Sequence, residues 1–234
     1  MMQRVVFMGK LSGQVAVITG AGTGLGRATA IDFAREGAHV ALLGRRSHKL
    51  EETAERIRND AAGEGKVLVL ACDITIEEQV EAAIARVMAE LGKIDILANN
   101  AAVLEPGKVI ELTAAEWALQ LSVNLTGPFL MTRGVLPTMR EARYGRIINI
   151  TSGLAWNGAG GYAAYSASKA GLESLTRTTA DEEHDFGILV NAFNPGTVRS
   201  EMHATGKDPH QVTSELVRLA SLPQNGVTGS IVTH

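Results

Sequence analysis

The chain has 234 residues, 45% of them hydrophobic and 4% aromatic, and a formal net charge of −3 at pH 7. This composition lacks the basic surplus of a nucleic-acid-binding protein and the acidic tail of a disordered module. The one cysteine, Cys72, excludes an internal disulfide and a cysteine-rich metal site. The six histidines show no ligand spacing such as HxxxH, so we expect no bound metal.

The sequence shows no sign of a membrane segment. No apolar run approaches the roughly 20 residues that a helix needs to cross a bilayer. The N-terminal stretch is too short for the apolar region of a signal peptide, and no small-residue cleavage site follows it. We therefore expect a cytoplasmic protein.

Short apolar strands and amphipathic helices alternate along the chain after a lead-in over residues 1–13. The first half of the chain predicts strand 15–19, a helix from the glycine-rich turn to Glu36 with Gly37 as its stop, strand 39–43, helix 47–62 and strand 66–71. A helix then runs from a capping box at Thr75–Glu78 to Leu91, and after strand 94–98 another runs from a capping box at Thr113–Glu116 toward Met139. The remaining patterns predict strand 146–150, helix 161–185, strand 188–192, helix 209–222 and a last strand within 230–233.

This alternation indicates an α/β fold. Helices of crossover length between strands favour a parallel sheet that is covered on both faces. No Pro/Gly/Ser-rich linker or change of composition divides the chain. We therefore predict one domain over residues 1–234, a Rossmann fold with a doubly wound parallel sheet of six to seven strands.

Four glycines, Gly20, Gly22, Gly24 and Gly26, lie between the first strand and the first helix. Backbone without side chains can approach a pyrophosphate closely, and the free N–H groups of the helix start can then bind its charge. A tight turn of purely structural importance is the alternative. In this strand–turn–helix context the loop favours dinucleotide binding.

The end of the second strand bears on which dinucleotide is bound. A cofactor with a free 2′-hydroxyl is usually held there by an acidic residue, but this stretch reads Leu43-Gly44-Arg45-Arg46. Arg45 can grip a 2′-phosphate through its planar guanidinium, and Arg46 adds charge. We predict NADP(H) in preference to NAD(H). The alternative is that both arginines belong to a solvated helix start.

Tyr165 and Lys169, in the run YSASK, lie one turn apart on one helix face. An ammonium group beside a phenol favours the phenolate, so we expect Lys169 to lower the pKa of Tyr165. A general acid/base that works near neutral pH needs such a shift. Taken alone, the same spacing also fits an ordinary surface pair.

Several motifs occur together in the order typical of one family. Thr19-Gly20 with Gly24 and Gly26 matches TGxxxGxG, and Asn99–Ala102 resembles NNAG. Asn124 follows in SVNLTG, and Ser152 stands thirteen residues before Tyr165 of the YxxxK motif. Asn194–Thr197 resembles a PG motif. From residue 15 to about 200 the chain thus resembles the short-chain dehydrogenases/reductases.

The resemblance implies an oxidoreductase that transfers hydride between NADP(H) and a carbonyl or secondary alcohol. Tyr165 would exchange the proton, Ser152 would donate a hydrogen bond to the substrate oxygen, and Lys169 would also hold the nicotinamide ribose. Asn124 would anchor a water that passes protons to Lys169. Asp73 would lie at the adenine, unless it only caps the following helix.

The family pattern implies a cofactor site made of residues from separate stretches of the chain. These residues fall in six stretches and are Gly20, Gly22, Thr23, Gly24, Leu25, Gly26, Arg45, Arg46, Asp73, Ile74, Asn100, Ala101, Tyr165, Lys169, Pro195, Gly196 and Thr197. Ala102 departs from the family, which usually has glycine at that position.

Residues 196–208 would form a short substrate lid. The substrate would contact Ser152, Leu154, Tyr165 and Met202. Trp156 and Tyr162 would line the same pocket or serve as packing residues. A short lid and an apolar lining lead us to expect an open site that accepts varied hydrophobic carbonyl compounds.

The resemblance also implies a homo-oligomer, a dimer or tetramer, that pairs through the helices over 113–139 and 161–185. Two alternatives remain open for the function. One is an NAD(H)-linked dehydrogenase of the same family, which differs only at Gly44–Arg46. The other is a regulatory protein that binds a dinucleotide without turnover. A panel of carbonyl substrates that follows NADPH oxidation would distinguish the two classes.

Overall fold

Seven parallel strands form a single sheet in the computed structural model, which describes residues 9–60 and 65–234. The strands are β1 (Val15–Thr19), β2 (His39–Gly44), β3 (Val67–Ala71), β4 (Ile96–Asn99), β5 (Gly145–Ile150), β6 (Ile188–Asn194) and β7 (Ile231–Thr233). Their order across the sheet is β3-β2-β1-β4-β5-β6-β7. This arrangement confirms the predicted doubly wound parallel sheet.

Helices cover both faces of the sheet. They are α1 (Gly24–Arg35), α2 (Ser47–Asn59), α3 (Glu77–Leu91), α4 (Ala114–Leu121), α5 (Gly127–Ala142), α6 (Leu154–Asn157), α7 (Ala163–Glu183) and α8 (Thr213–Ala220). Short 3₁₀ turns at His184–Phe186 and Pro209–Gln211 flank two of the connections.

Alternate residues of β1 belong to two separate hydrophobic clusters. Ala16 and Ile18 pack against α1, α2 and α8, whereas Val15 and Val17 face α3, α5 and α7. All five residues of the strand are buried because side chains alternate between two covered faces. This double burial explains the continuous apolar runs from which the strands were predicted.

One of the two predicted capping boxes is confirmed. The Thr113 hydroxyl accepts from the N–H of Glu116 at 3.2 Å, and the Glu116 carboxylate accepts from the N–H of Thr113 at 2.8 Å. The capping box predicted at Thr75 is wrong. The Thr75 hydroxyl donates to the Asp73 carboxylate at 2.7 Å, and the helix begins two residues later at Glu77.

The helix predicted from residue 113 toward 139 contains a π-helical turn at Ser122–Thr126 between α4 and α5. Pro128 lacks the N–H that would pair with the carbonyl of Asn124 in a regular α-helix. The N–H of Gly127 bonds instead to the carbonyl of Ser122, five residues back. The wider turn places Asn124 in the interior of the protein.

Parts of two predictions lie outside the described residues, namely residues 1–8 of the lead-in and residues 61 and 62 of the second helix. Within the described ranges, no helix is both long and apolar enough to cross a membrane. In the same part of the chain, no three His, Cys, Asp or Glu side chains are grouped so as to hold a metal ion.

Candidate active site

A cleft of about 880 Å³ opens at the carboxyl ends of the strands. It lies where the strand order reverses, with β2 on one side of β1 and β4 on the other. Open α/β sheets bind ligands at such a switch point. The glycine loop after β1 and the ends of β2 and β3 line one half, and β5, α7 and the loop after β6 line the other.

The glycine loop exposes its backbone to this cleft. Gly20 and Gly24 have φ angles of +66° and +51°, which favour glycine. A Cβ atom on Gly20 would lie 2.9 Å from the Cα of Ala101, and one on Gly24 would lie 2.8 Å from the Cβ of Ser200. Gly22, Thr23 and Leu25 also line the cleft. The loop thus forms the bare cradle that a pyrophosphate requires.

Gly26 does not line the cleft, contrary to its prediction as a cofactor contact. A Cβ atom at this position would lie 2.3 Å from the carbonyl oxygen of Gly20 and 2.4 Å from the Nδ2 of Asn100. The first turn of α1 therefore packs directly on the loop and on the end of β4. Gly26 is required for this close packing and lies behind the surface that a cofactor would touch.

The two arginines after β2 line the cleft but differ in their partners. Within the described residues Arg45 forms no ion pair, and its side chain is exposed. The guanidinium of Arg46 lies 2.7 Å from the carboxylate of Glu201 in the loop after β6, and each side chain is 52% exposed. No local pattern in the sequence indicates that Glu201 pairs with Arg46, because the two residues are 155 positions apart.

Asp73 and Ile74, after β3, line the same end of the cleft. The Asp73 carboxylate accepts from both the N–H and the hydroxyl of Thr75, at 3.0 and 2.7 Å. Asp73 thus caps a turn before α3 and also borders the cleft, so the two predicted roles are compatible.

Asn100 and Ala101 close the floor of the cleft between β1 and β4. Their N–H groups both donate to the hydroxyl of Thr19 at 3.0 Å. The side-chain amide of Asn100 donates to the carbonyl of Thr19 at 2.9 Å. These bonds fix the backbone beneath the glycine loop.

Ser152, Tyr165 and Lys169 meet at the other end of the cleft. The Tyr165 hydroxyl is hydrogen-bonded with Ser152. The Nζ of Lys169 donates to the carbonyl of Ile150 at 2.7 Å and lies 5.6 Å from the centre of the Tyr165 ring. Tyr165 is 8% exposed and Lys169 is 2% exposed. Helix α7 and the end of β5 thus assemble the three predicted side chains.

Burial controls the titration of this group. It raises the pKa of Tyr165 above its ordinary value, and the hydrogen bond with Ser152 offsets part of that effect. Burial also lowers the pKa of Lys169 to about 8. The expected lowering of the Tyr165 pKa by Lys169 is therefore not met in this structure, because desolvation of the phenolate dominates and the one effect that lowers the pKa comes from Ser152.

Three residues of α7, each one turn apart, hold three consecutive residues at the end of β5. Tyr165 bonds with Ser152, Lys169 with the carbonyl of Ile150, and the carboxylate of Glu173 accepts from the hydroxyl of Thr151 at 2.8 Å. The sequence analysis missed this third contact. Its signal is the continuation of the same helical spacing, since Glu173 follows Lys169 by four residues.

Asn124 is fully buried and does not line the cleft. Its Oδ1 accepts from the N–H of Val103 at 2.8 Å, and its Nδ2 donates to the carbonyl of Val103 at 2.9 Å and to the hydroxyl of Ser168 at 3.2 Å. Val103 itself borders the cleft. The side chain of Asn124 thus positions a wall of the cleft against α7.

Leu154, Met202 and Tyr162 line the outer part of the cleft, as the sequence predicted for an apolar pocket. Trp156 is 92% exposed and lies outside the lining, so it does not contribute to that pocket. Pro195, Gly196 and Thr197 begin the loop that covers this end. The N–H of Lys207 donates to the carbonyl of Thr197 at 3.0 Å and closes that loop at its base.

These features fit a bound dinucleotide. The cradle at Gly20 and Gly24 leaves no room for side chains, the arginines lie at one end, and a buried tyrosine–lysine pair lies at the other. The lining agrees with the predicted pocket segments 153–162 and 198–203, and it also includes residues that sequence reasoning missed, namely Lys49, Leu50, Cys72, Val103, Leu104, Glu105, Val123, Ile150 and Thr151.

Comparisons with known proteins agree with this site. The family model described as short chain dehydrogenase matches residues 14–210. The chain is 34% identical to the (5R,7aS)-5-hydroxy-7a-methyl-1-oxo-2,3,5,6,7,7a-hexahydro-1H-indene-carboxyl-CoA reductase of Mycobacterium tuberculosis, over 96% of this chain and 92% of that protein. It is 33% identical to the 3-oxoacyl-(acyl-carrier-protein) reductase FabG of Thermotoga maritima, over 95% and 96% of the two chains.

Solved structures give the same result. A short-chain type dehydrogenase/reductase from Mycobacterium marinum superposes with a TM-score of 0.89 at 30% identity, over 95% of this chain and 94% of the other. A short-chain dehydrogenase/reductase from Burkholderia xenovorans gives a TM-score of 0.87 at 32% identity, over 96% of each chain. The chain therefore belongs to the short-chain dehydrogenase/reductase family, oxidoreductases that use a nicotinamide dinucleotide to interconvert CH–OH and C=O groups.

Proposed function

We propose that this protein is an NADP(H)-dependent oxidoreductase that interconverts a carbonyl compound and a secondary alcohol, with Tyr165 as the general acid/base. The observation that carries the proposal is that Ser152, Tyr165 and Lys169 line the same end of one cleft, with the Nζ of the buried Lys169 5.6 Å from the centre of the Tyr165 ring. This group lies in one cleft with the glycine loop. A site that only bound a dinucleotide would not need it.

The cofactor would lie along the cleft, with its pyrophosphate at Gly20–Leu25 and its adenine near Asp73 and Ile74. Arg45 supports the preference for NADP(H), since its exposed guanidinium lines the cleft and within the described residues forms no ion pair. When bound, the nicotinamide supplies or accepts the hydride. Lys169 and Thr197 would contact its ribose and carboxamide.

The proton chemistry belongs to the protein. Because burial raises the pKa of Tyr165, its hydroxyl carries a proton at neutral pH and can give it to the oxygen of a carbonyl substrate. Ser152 would donate a hydrogen bond to that same oxygen. Lys169, with a pKa of about 8, is mostly charged at pH 7 and would stabilise the phenolate as the proton leaves. Alcohol oxidation reverses each step.

We propose oxoacyl thioesters as the first substrate class to test. Two relatives are named as reductases of a CoA ester and of an acyl-carrier-protein ester. The outer part of the cleft is lined by Leu104, Leu154 and Met202, which suit an acyl chain. Ketones, quinones and sugars complete the panel.

The test compares Tyr165→Phe with the wild type in turnover and in NADPH binding. We expect turnover of the best panel substrate to fall by about two to four orders of magnitude, with NADPH affinity within about threefold. Tyr144→Phe is the matched control, because its hydroxyl accepts from Gln14 at 2.9 Å and lies outside the cleft lining. It should retain wild-type turnover.

Near-normal turnover in Tyr165→Phe would rule out the assigned acid/base. Binding of NADPH without turnover of any panel substrate would favour a regulatory dinucleotide-binding protein. Tighter binding of NADH than of NADPH would favour the NAD(H)-linked alternative.

We also propose that the protein is a homo-oligomer that pairs through α4–α5 and α7. Trp117 and Leu119 on α4 and Phe129 on α5 are about 40% exposed, which is unusual for large apolar side chains and supports a covered face. Light scattering tests this proposal. A mass of one chain, 24.8 kDa, would contradict it.

A further inference from the structure

The loop after β6 reaches across the cleft to the cofactor side. Its Glu201 carboxylate lies 2.7 Å from the guanidinium of Arg46, at the start of α2. Both residues line the cleft. The pair is the only side-chain hydrogen bond found between this loop and the arginine pair after β2, among the residues that the structure describes.

Contacts within the loop order both its base and its tip. At the base, Arg199 pairs with Asp208 at 2.9 Å. At the tip, the hydroxyl of Ser200 accepts from the N–H groups of Met202 and His203, at 3.1 and 3.2 Å. Ser200 also lies directly over the glycine loop, where a Cβ on Gly24 would come within 2.8 Å of it. Glu201 is thus held beside the cradle.

The surroundings of Glu201 are cationic. The hydrogen bond from Arg46 lowers the pKa of its carboxyl, and the charges of Lys49 and Arg27 add to the effect. Lys49 and Arg27 already share a second carboxylate, that of Glu52, at 3.0 and 2.9 Å. Arg46 has Glu201 alone among the described acidic residues. The position of the Glu201 carboxylate is therefore one that favours an anion.

We infer that Glu201 is a specificity-determining residue that competes, as an internal anion, with the 2′-phosphate of the cofactor for Arg46. This inference rests on the proposed binding of NADP(H). A 2′-phosphate carries more charge than a carboxylate and accepts a bidentate guanidinium, so it can displace Glu201. Cofactors with a free 2′-hydroxyl leave the pair intact. Glu201 therefore weakens NADP(H) binding and leaves NAD(H) binding nearly unchanged.

The two neighbouring arginines therefore differ in how readily they can bind the phosphate. Arg45 is free to bind the phosphate at once, whereas Arg46 must first exchange its partner. Release of Glu201 also breaks the hydrogen bond between this loop and Arg46, so occupancy of the phosphate position is coupled to the segment that contributes Met202 to the cleft.

The test measures the affinity of two fragments by calorimetry, adenosine 2′,5′-bisphosphate and adenosine 5′-monophosphate. For Glu201→Gln we expect the bisphosphate to bind about three- to fivefold more tightly and the monophosphate to change by less than about twofold, as one exposed ion pair warrants. In the Arg46→Ala background, Glu201→Gln should have no further effect. Glu55→Gln, an exposed carboxylate on α2, is the charge-matched control and should change neither affinity.

The inference would be overturned if Glu201→Gln raised the affinity for both fragments equally, or if it raised the affinity for the bisphosphate to the same extent in the Arg46→Ala background. An unchanged bisphosphate affinity would also overturn it. The wild type separately tests the proposed cofactor. Suppose that the wild type binds both fragments with equal affinity and that Glu201→Gln raises the affinity for the bisphosphate alone. The NADP(H) preference is then wrong, and the competition between Glu201 and the phosphate stands. If the wild type prefers the bisphosphate and Glu201→Gln changes nothing, the preference stands and the competition is wrong.

Discussion

The two ends of the cleft are built on different physical principles. At the catalytic end, Tyr165 and Lys169 are buried, and each has a partner at or just after the end of β5. At the adenosine end, Arg45, Arg46 and Glu201 are exposed, and the one ion pair among them crosses open solvent. Solvent screening makes exposed pairs weak and exchangeable, whereas buried polar groups have no alternative partners.

The buried end is suited to catalysis, whereas the exposed end is suited to selection among ligands. A buried group changes its pKa because its surroundings are fixed, and it supports one reaction geometry. An exposed cation can instead change partners when a ligand arrives, and it selects among ligands. Substitutions at the buried end should therefore have large effects that salt does not alter, and substitutions at the exposed end should have smaller effects that salt reduces.

The largest effect is expected from Lys169→Met. Loss of the ammonium group should reduce turnover by more than about a hundredfold. Because this charge is buried with one carbonyl partner, the variant should also be more stable than the wild type at pH 7, by about 1–3 kcal/mol in the free energy of unfolding. Kinetic assays and urea unfolding measure the two quantities.

The stability difference between the wild type and Lys169→Met should depend on pH. The pKa of Lys169 is about 8 in the folded chain and about 10.4 in an unfolded one, so between these values the unfolded state holds more protons. The stability of the wild type should therefore rise with pH above about 8, and its deficit relative to Lys169→Met should shrink. A deficit that stays constant from pH 7 to pH 10 would contradict a buried, charged lysine.

Asn124→Ala should have the next largest effect. It leaves the part-buried N–H and carbonyl of Val103 without their partner, which costs about 1–3 kcal/mol of stability because the cleft gives these groups only partial access to solvent. Since Val103 borders the cleft, kcat/KM should fall about tenfold or more. Asn59→Ala, on the exposed end of α2, is the control. Unchanged stability with lost turnover would instead favour a direct role for Asn124 in proton transfer.

Arg45→Ala should affect the cofactor alone. We expect NADPH affinity to fall about tenfold and NADH affinity to change by less than about twofold, because only the phosphate needs the guanidinium. The loss should be smaller at 0.5 M salt than at 0.05 M salt. Arg56→Ala removes the same charge from the exposed face of α2 and should change neither affinity. Equal losses for both cofactors would contradict phosphate recognition.

The smallest effect is expected from Trp156→Ala. Its side chain is 92% exposed and outside the cleft lining, so kcat/KM should stay within about twofold of the wild type. A large rise in KM with an unchanged oligomeric mass would show that Trp156 contacts the substrate after all.

The sequence predicted those features that depend on local spacing. Strands buried on both faces give continuous apolar runs, and a helix turn fixes Tyr165 beside Lys169. Most of the glycine loop could be placed in the same way. These features follow from the periodicity of the backbone, which a sequence carries directly.

The remaining features depend on contacts between distant segments. Thr75 lost its predicted capping role because Asp73 accepts its hydroxyl, a choice that residue types alone do not decide. The pKa of Tyr165 rises because of a burial depth that only the folded chain has. Glu201 and the inward position of Gly26 likewise depend on how the loop after β6 and the helix α1 pack.

The strand order also determines at which edge the sheet can grow as the chain is synthesised. Once β4 has paired with β1, every later strand joins the one made just before it, so the sheet grows outward at a single edge. A domain generally folds as a unit, and the chain is synthesised from its N-terminus. The glycine loop is thus made early, Tyr165 follows β5, and Glu201 emerges only after β6. The segment of the phosphate cradle therefore leaves the ribosome well before the residues that carry out the reaction.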